Sequence, residues 1–544
     1  VEIDPAVVNL SDVENFFQEK RPFFTEGVSV FRCGNNGASG YSNFNWPEPI
    51  FFYSRRIGRA PRGGTPTADF TDFPTGTHIL GAAKLTGQVK PGWNVGTVQA
   101  LTRREEATLQ TAGQESKFGV EPMSYYGVWR TMHELNDRRQ GVGVMAMTTA
   151  RFFDGNADPL RDQMNTSSVV AAVDGWTFLD SDRKWVISGY GTASQIHGTA
   201  ARIEQVQRSF PHYYQRPDRP DLGVDPTATS LSGYGARLWL NKQKGDVIFN
   251  AALGALSPGF DNNDLGFLFG GDVINGHIMT GYNWNEPKGW RQAADIMGAV
   301  AHSFDFGGNH TLNAAWLAGD IEQRNHWSWS GSTFFNFPQY NSRRTRGGVV
   351  MKSLSNINPS LHFDSNSRNP WFWSIDYNPS FSADGGWEHS VSPAMRWRPK
   401  PNLLLSGGPD FYRGHTDAQF WDNSGTLATG SRFTELEQTQ WSMNLRADYA
   451  ATPNLSVQVF LQPLISTLDF HDLKELAASR TYDFVPVQSG TVGGGTFGSL
   501  RGNAVVRWEY APGSSAYFVW TQERTDADGQ TDFDRQHSFR VVSR

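Results

Sequence analysis

Apolar and polar residues alternate along much of this chain. From Trp441 to Tyr449 the odd positions hold Trp441, Met443, Leu445, Ala447 and Tyr449, and the even positions hold Ser442, Asn444, Arg446 and Asp448. Successive side chains of a β-strand point to opposite faces, so this segment predicts a strand with one apolar and one polar face. Leu455, Val457, Val459 and Leu461 repeat the pattern against Ser456, Gln458 and Gln462, as do Val506, Trp508 and Tyr510 against Arg507 and Glu509. No stretch places apolar residues at i, i+3, i+4 and i+7 over three turns, the spacing of an amphipathic helix.

The clearest strands are expected near 78–88, 92–102, 121–133, 140–152, 168–179, 184–196, 229–241, 245–256, 265–281, 294–306, 309–319, 387–398, 402–411, 438–449, 454–466, 500–510 and 514–523. The register of 322–380 is ambiguous. Connections fall into two kinds. Met395–Leu403 aligns with Leu445–Leu455 after a two-residue insertion, Val506–Ser515 is a third copy, and Phe304–Leu312 is a fourth hairpin. Pro or Gly-Asn supplies the tight turn. Longer polar segments, about 412–431 and 467–499, join successive hairpins.

Composition narrows the architecture. The 544 residues include 37 Phe, 19 Trp and 16 Tyr, yet hydrophobic residues total only 38% and mean hydropathy is −0.48. No apolar run reaches the roughly 18 residues of a membrane helix. Abundant aromatics exclude a disordered chain, and a single cysteine, Cys33, excludes a disulfide framework. A soluble propeller would repeat a blade signature, which is missing. A transmembrane β-barrel reconciles low hydropathy with many aromatics, because only every second residue faces lipid. The predicted fold class is therefore all-β: a large antiparallel transmembrane β-barrel of about 16–20 strands over 77–544. Residues 1–76, irregular and rich in Pro, Gly, Phe and Arg, are expected to form a plug or to line the lumen. The chain begins at Val1 rather than Met, which predicts a missing leader or upstream domain. It ends at Val541-Val542-Ser543-Arg544 rather than on an aromatic, so its last residues are expected to be missing too.

The N-terminal text is more specific. Val1–Gly27 includes Glu19-Lys20-Arg21-Pro22-Phe23-Phe24, Phe51–Pro61 includes Tyr53-Ser54-Arg55-Arg56-Ile57-Gly58, and Ile79–Gly87, Tyr213–Gly223 and Asn263–Phe267 follow. Across the whole chain this resembles a family of bacterial proteins carrying domain of unknown function 5916. The resemblance implies a large outer-membrane-type barrel, usually preceded by a β-sandwich similar to a family-9 carbohydrate-binding module. That module is absent from these residues. Some members carry a "membrane-associated hydrolase" label, with no catalytic residues to transfer.

Lys20, Arg21, Arg55, Arg56 and Arg59 form a basic set in the expected plug. Guanidinium groups grip oxyanions in bidentate fashion, so the set predicts an anion-selective constriction or an oxyanion site. The alternative is that these residues pair with Glu19, Glu26 and lumen carboxylates and pin the plug to the wall. Arg396, Arg446 and Arg507 hold equivalent places in three hairpins, as a basic ladder on the inward face near the periplasmic rim. Arg103, Arg104, Glu105 and Glu106 read as a solvated strand end. Asp261 and Asp264, with Asn262 and Asn263, offer oxygens to a hard cation, but the spacing fits an Asx-rich loop better than a calcium loop. Asp218, Asp221 and Asp225 read as an extended loop beside Pro217, Pro220 and Pro226. Trp441, Trp508 and Trp520 suit a lipid-interface girdle, whereas Trp327, Trp329, Trp371 and Trp373 are candidates for stacking on sugar rings.

The chain lacks HExxH, GxSxG and Walker motifs, and its 13 histidines show no close pair at ligand spacing. Gly493-Gly494-Gly495, followed by Thr496, Phe497 and Gly498, reads as a flexible external loop, and Cys33 as an inert thiol. No cofactor and no enzymatic activity are predicted. The formal charge of −6, without clustered basic runs, gives no footprint for nucleic acid. The expected partners are a lipid bilayer with lipopolysaccharide, and periplasmic or envelope proteins. The expected role is solute passage or capture in the bacterial outer membrane, or anchoring of an envelope assembly. A membrane-bound glycan hydrolase and a non-conducting structural barrel are the alternatives.

Overall fold

The computed structural model describes residues 7–34, 36–38, 42–488, 490, 492–529 and 531. The first and last residues, Val1–Ile3 and Val541–Arg544, lie outside them. The expected barrel is present: twenty long antiparallel strands, from Ile79–Lys90 to Ser514–Asp528, form a closed barrel, with the three-residue Phe484–Pro486 added to the end of Leu455–Leu476. Every strand expected from the alternation overlaps an observed one. Region 322–380 contributes three more, Ser328–Asn336, Asn356–Asp364 and Trp371–Ser382.

Why these residues face as they do is plainest where the alternation is cleanest. Leu403 pairs with Tyr449 and Tyr449 with Val457; Phe411 pairs with Trp441 and Trp441 with Ile465. Between these rows one face carries Leu405, Met443, Leu445 and Val459. At roughly 3.3 Å per residue the stretch covers about 26 Å of strand, or about 20 Å of height at a tilt of ~40°, most of the ~25 Å apolar band of an outer-membrane barrel. Beyond Phe411 the same face turns charged at Arg413, His415 and Glu437, which places the lipid boundary. Trp508 and Trp520 are exposed on the outer face, and Trp441 is half-buried.

The structure corrects several expectations. The segments 412–431 and 467–499 are mostly strand: Leu403–Asp422, Arg432–Thr452 and Leu455–Leu476 are 20, 21 and 22 residues long. Past the lipid boundary neither face is uniformly apolar and the register shifts at Thr416/Gln419 and Phe433/Glu435, so strict alternation no longer marks a strand. Gly495–Gly498 open the strand Gly495–Ala511, paired with Ile465–Leu468, rather than forming a flexible loop. Residues 103–122 leave the barrel. Glu105–Thr111 and Gln114–Glu121 form a hairpin that joins Phe70–Asp72 in a separate sheet. Glu105 is buried, not solvated: it accepts from His78 N and from Arg103. A nine-residue helix, Ala200–Arg208, also lies outside the barrel.

The chain divides into two compact units, one of Gln18–Met279 with Ala301–Leu312, the other of Val1–Phe17, Thr280–Val300 and Asn313–Arg544. In the first, part of the N-terminal segment packs on the inner face of the strands. Phe24, Phe31, Trp46, Phe51 and Ile57 share one apolar core with Val98, Tyr126, Met145, Met147, Tyr190 and Trp239. The loop 257–272 joins this core so closely that a Cβ on Gly233 would lie 2.0 Å from the Phe260 nitrogen. In the second unit the inner face stays accessible. Trp371–Ser382 and Trp387–Lys400 consist of exposed and half-buried residues, with Pro379 alone buried. That unit's own core lies beyond the lipid boundary, around Met351, Ala418, Phe433 and Leu476.

Candidate functional site

The basic residues predicted for the plug lie in the first unit, and the fold gives each a different task. Arg21 precedes the short helix Pro22–Thr25 and makes a bidentate pair with Glu19 at 2.9 and 2.7 Å. Its Nη1 donates to the Ile57 carbonyl, and Nη2, besides Glu19, to the Ser54 carbonyl. Ser54 Oγ donates to Glu19 as well, at 2.7 Å. Burial would raise the Glu19 pKa, but the bonds from Arg21 and Ser54 outweigh it and hold the carboxyl at about 2. The Lys20 backbone nitrogen joins this clasp through Glu19, and Arg55 donates to the Gln18 carbonyl. Glu26 contributes its carbonyl, to Lys84, rather than its carboxylate.

Arg56 is buried, donates from Nε to the Gly266 carbonyl at 2.9 Å, and lies between the rings of Tyr53 and Phe267. Arg59 pairs with the buried Glu121 at 3.1 Å, and Glu121 also accepts from the Arg62 backbone nitrogen. Burial first, and then neighbouring Arg62, bring Arg59 down to about 9.

Three further arginines, none of them singled out by sequence, complete the group. Arg151, on the inner face of Gln140–Phe152, donates to Asp264 at 2.7 Å and to the Asn165 carbonyl. Asn165 Nδ2 holds the other Asp264 oxygen at 2.8 Å, and its Oδ1 accepts from Arg202 Nε at 2.8 Å. Arg202 stands in the first turn of the helix Ala200–Arg208, whose N-cap Thr199 accepts from the Arg202 nitrogen. Arg62 approaches Asp264 only to 4.0 Å. Asp264 is buried, which alone would raise its pKa. Arg151, Arg62 and Asn165 instead hold it far below the usual carboxylate range. The Asx segment thus places Asp264 among guanidiniums, while Asp261 binds His212 at 3.1 Å.

Two other buried networks fix the unit. Asp174 receives Arg130 at 2.6 and 2.9 Å and, from the N-terminal segment, the Gly34 nitrogen and Asn36 Nδ2. Arg216 and Arg219 converge on Asp272, and Arg219 also on Asp221, while Asn309 donates to Asp218. The segment expected as a plain extended loop is therefore tied down at Asp218 and Asp221. Asp225 accepts from Thr227, as a turn residue does. Cys33 is packed against the core, and burial together with Asp174 pushes its thiol up.

The remaining candidates belong to the second unit. Arg396 and Arg446 share one cross-strand row through Ser406, while Arg507 stands on the same face in the row of Ser456 and Ala450. Each has a local partner: the Phe372 ring, Asp448 and Glu509, respectively. Trp327, Trp329 and Trp373 gather around Phe363, and Trp371 faces Trp397 across the strands. Trp329 and Trp373 share their face with the exposed Leu361, which is the lipid side.

Sequence showed no histidine pair at ligand spacing, but the fold assembles two groups that could hold a metal: His415, Asp417 and Glu435, and Glu435, His471 and Asp472. Their residues lie on three neighbouring strands beyond the lipid boundary, and Lys474 Nζ stands 3.1 Å from Asp417 and 3.3 Å from Glu435. Cross-strand register, which sequence alone does not fix, was the signal missing for them.

The alternating wall, its apolar outer band and its closed strand order define a transmembrane β-barrel. The chain belongs to the family described as Domain of unknown function (DUF5916), whose model matches residues 1–542. Among solved structures it is similar to the outer membrane transporter YddB from Escherichia coli. That match has 11% identity, covers 82% of this chain and 67% of that one, and gives a TM-score of 0.37. It is also similar to the FrpB iron transporter from Neisseria meningitidis (F3-3 variant), with 8% identity over 83% of this chain and 72% of that one and a TM-score of 0.40. No curated protein matches it in sequence.

Proposed function

We propose that this chain is an outer-membrane barrel for the passage or capture of a solute, with residues 18–77 as a fixed plug. The observation that carries the reading is the shared core. Phe51 and Ile57 of the N-terminal segment are buried together with inner-face residues such as Met145 and Trp239. A segment seated in this way stays in place, and the water-accessible inner face of the second unit is left as the path. The strands, the apolar outer band and the polar inner face support a membrane setting, and the outer membrane is where such barrels reside.

The test is conductance of the purified full chain in planar bilayers. Asn378, on the accessible inner face, is replaced by cysteine and treated with a charged, water-soluble thiol reagent; Ser168→Cys, at a buried inner-face position of the first unit, is the control. Small steps that shrink on labelling Asn378→Cys, with Ser168→Cys unreactive, are expected. A silent protein that is folded by heat-modifiable gel shift overturns solute passage and leaves the structural barrel.

A further inference from the structure

The arginine group around Asp264 has more cations than its carboxylates answer. Arg59, Arg62, Arg151 and Arg202 face Glu121 and Asp264, while Asp261 is engaged by His212. Glu121 is taken up by Arg59 and by the Arg62 backbone, and Asp264 by Arg151 and Asn165. Donors are therefore left over. The Arg62 guanidinium has no hydrogen bond among the described residues, its nearest carboxylate oxygen being 4.0 Å away. Arg202 spends only Nε, on Asn165. Arg151 Nε is buried without a partner, in a side chain only 1% exposed.

Leaving guanidinium donors unspent beside like charges is costly in a desolvated site, and the titration of the group reflects it. Burial, then Arg151 and Arg56, lower the Arg62 pKa; burial, and the charges of Arg62 and Arg151, bring Arg202 to about 10 even with Asp264 near. Yet 42% of the Arg62 side chain is open to water. Next to it Arg151, Asp264 and Asn165 are all buried, so Arg62 is the exposed member of the group.

We infer that Arg62, Arg151 and Arg202 form a binding site for a small soluble oxyanion, of the phosphate, sulfate or carboxylate class. Arg62 and Arg202 supply paired N–H donors at the mouth, Arg151 supplies charge from below, and Asp264 with Asn165 orients the guanidiniums. Planar guanidiniums match a tetrahedral or carboxylate oxyanion through two parallel hydrogen bonds. Arg151 lies on the inner face of its strand, opposite the exposed Phe152, so the ligand reaches it from water and not from lipid. The inference deepens the proposed solute role by naming the chemical class of the solute.

Titration calorimetry of the full chain in detergent tests it, with inorganic phosphate as ligand and chloride at matched ionic strength as control. Saturable phosphate binding is expected, at least tenfold weaker in the Arg62→Gln/Arg202→Gln double variant and partly restored in Arg62→Lys/Arg202→Lys. A second measurement uses only the wild type: phosphate should protect Arg62 and Arg202 from phenylglyoxal, read by mass spectrometry. Heat no larger than with chloride, together with unprotected Arg62 and Arg202, overturns the site. Phosphate bound by a protein that never conducts keeps the site and sinks solute passage, whereas conductance without binding or protection does the reverse.

Discussion

The inner faces of the two units make opposite use of the same kind of strand. In Gln140–Phe152 and Trp185–His197 nearly every second residue is buried, because the N-terminal segment covers it. In Trp371–Ser382 and Trp387–Lys400 the corresponding residues are half-buried or exposed. The outer faces do not differ in kind: Val142, Val169, Leu361 and Trp371 are all exposed apolar residues. Lipid thus sets the outside of the wall throughout, while the inside is set by what else the chain supplies. A filled inner face is rigid core and responds to substitution as core does. An open inner face is solvated and free to vary.

The contrast breaks most thoroughly if the filling is removed. Deletion of residues 18–77 should prevent the barrel from reaching its heat-resistant, fast-migrating form on gels. A folded deletion product would mean that the segment is an insert and not core. Next in size, Asp174→Ala leaves Arg130 buried without its carboxylate and frees Gly34 and Asn36. The expected cost is about 3–5 kcal/mol, measured by denaturant unfolding in detergent.

A smaller effect follows from Glu19. Its folded pKa, about 2, lies below the ordinary 4.5, so its contribution is complete above about pH 4.5. That contribution is lost as pH falls from there toward 2. Limited proteolysis should therefore begin to cut near residues 18–25 in that window in the wild type, whereas Glu19→Gln should be cut at neutral pH too. The smallest stability change belongs to the open face. Arg396→Ala with Arg446→Ala should shift unfolding by no more than about 0.5 kcal/mol each. If that face lines the path, the same pair should move the reversal potential toward cations.

How much of this was legible in the sequence depends on what each residue faces. Strands crossing lipid were readable because one face must be apolar, as at Trp441–Tyr449. The three strands in 322–380 were not. Pro359 and Pro379 sit mid-strand, paired with Thr333 and His389, where proline normally argues against a strand. Strand extensions past the lipid were hidden for the opposite reason, since neither face has to be apolar there. Of the arginine group, Arg56 and Arg59 stood out beside a compact local run. Arg62 lies just beyond that run, but Arg151 and Arg202 reach the group through Asp264 and Asn165, far away in sequence and with no shared motif. Local chemistry can be read along a chain, but convergence from four distant segments cannot.

The long strands have a consequence for encounters at their polar end. Leu455–Leu476 covers about 70 Å of strand at roughly 3.3 Å per residue, and its apolar part ends near Ile465. With a tilt of about 40°, the remainder stands roughly 25–30 Å clear of the bilayer as hydrogen-bonded sheet. A molecule diffusing toward the membrane there meets a stiff rampart carrying His415, Asp417, Glu435 and Tyr482 before it meets lipid. Because that surface is already ordered, a contact made on it forgoes the entropy a mobile loop would lose on binding. Whatever docks on this end of the barrel can therefore be selected without a slow ordering step.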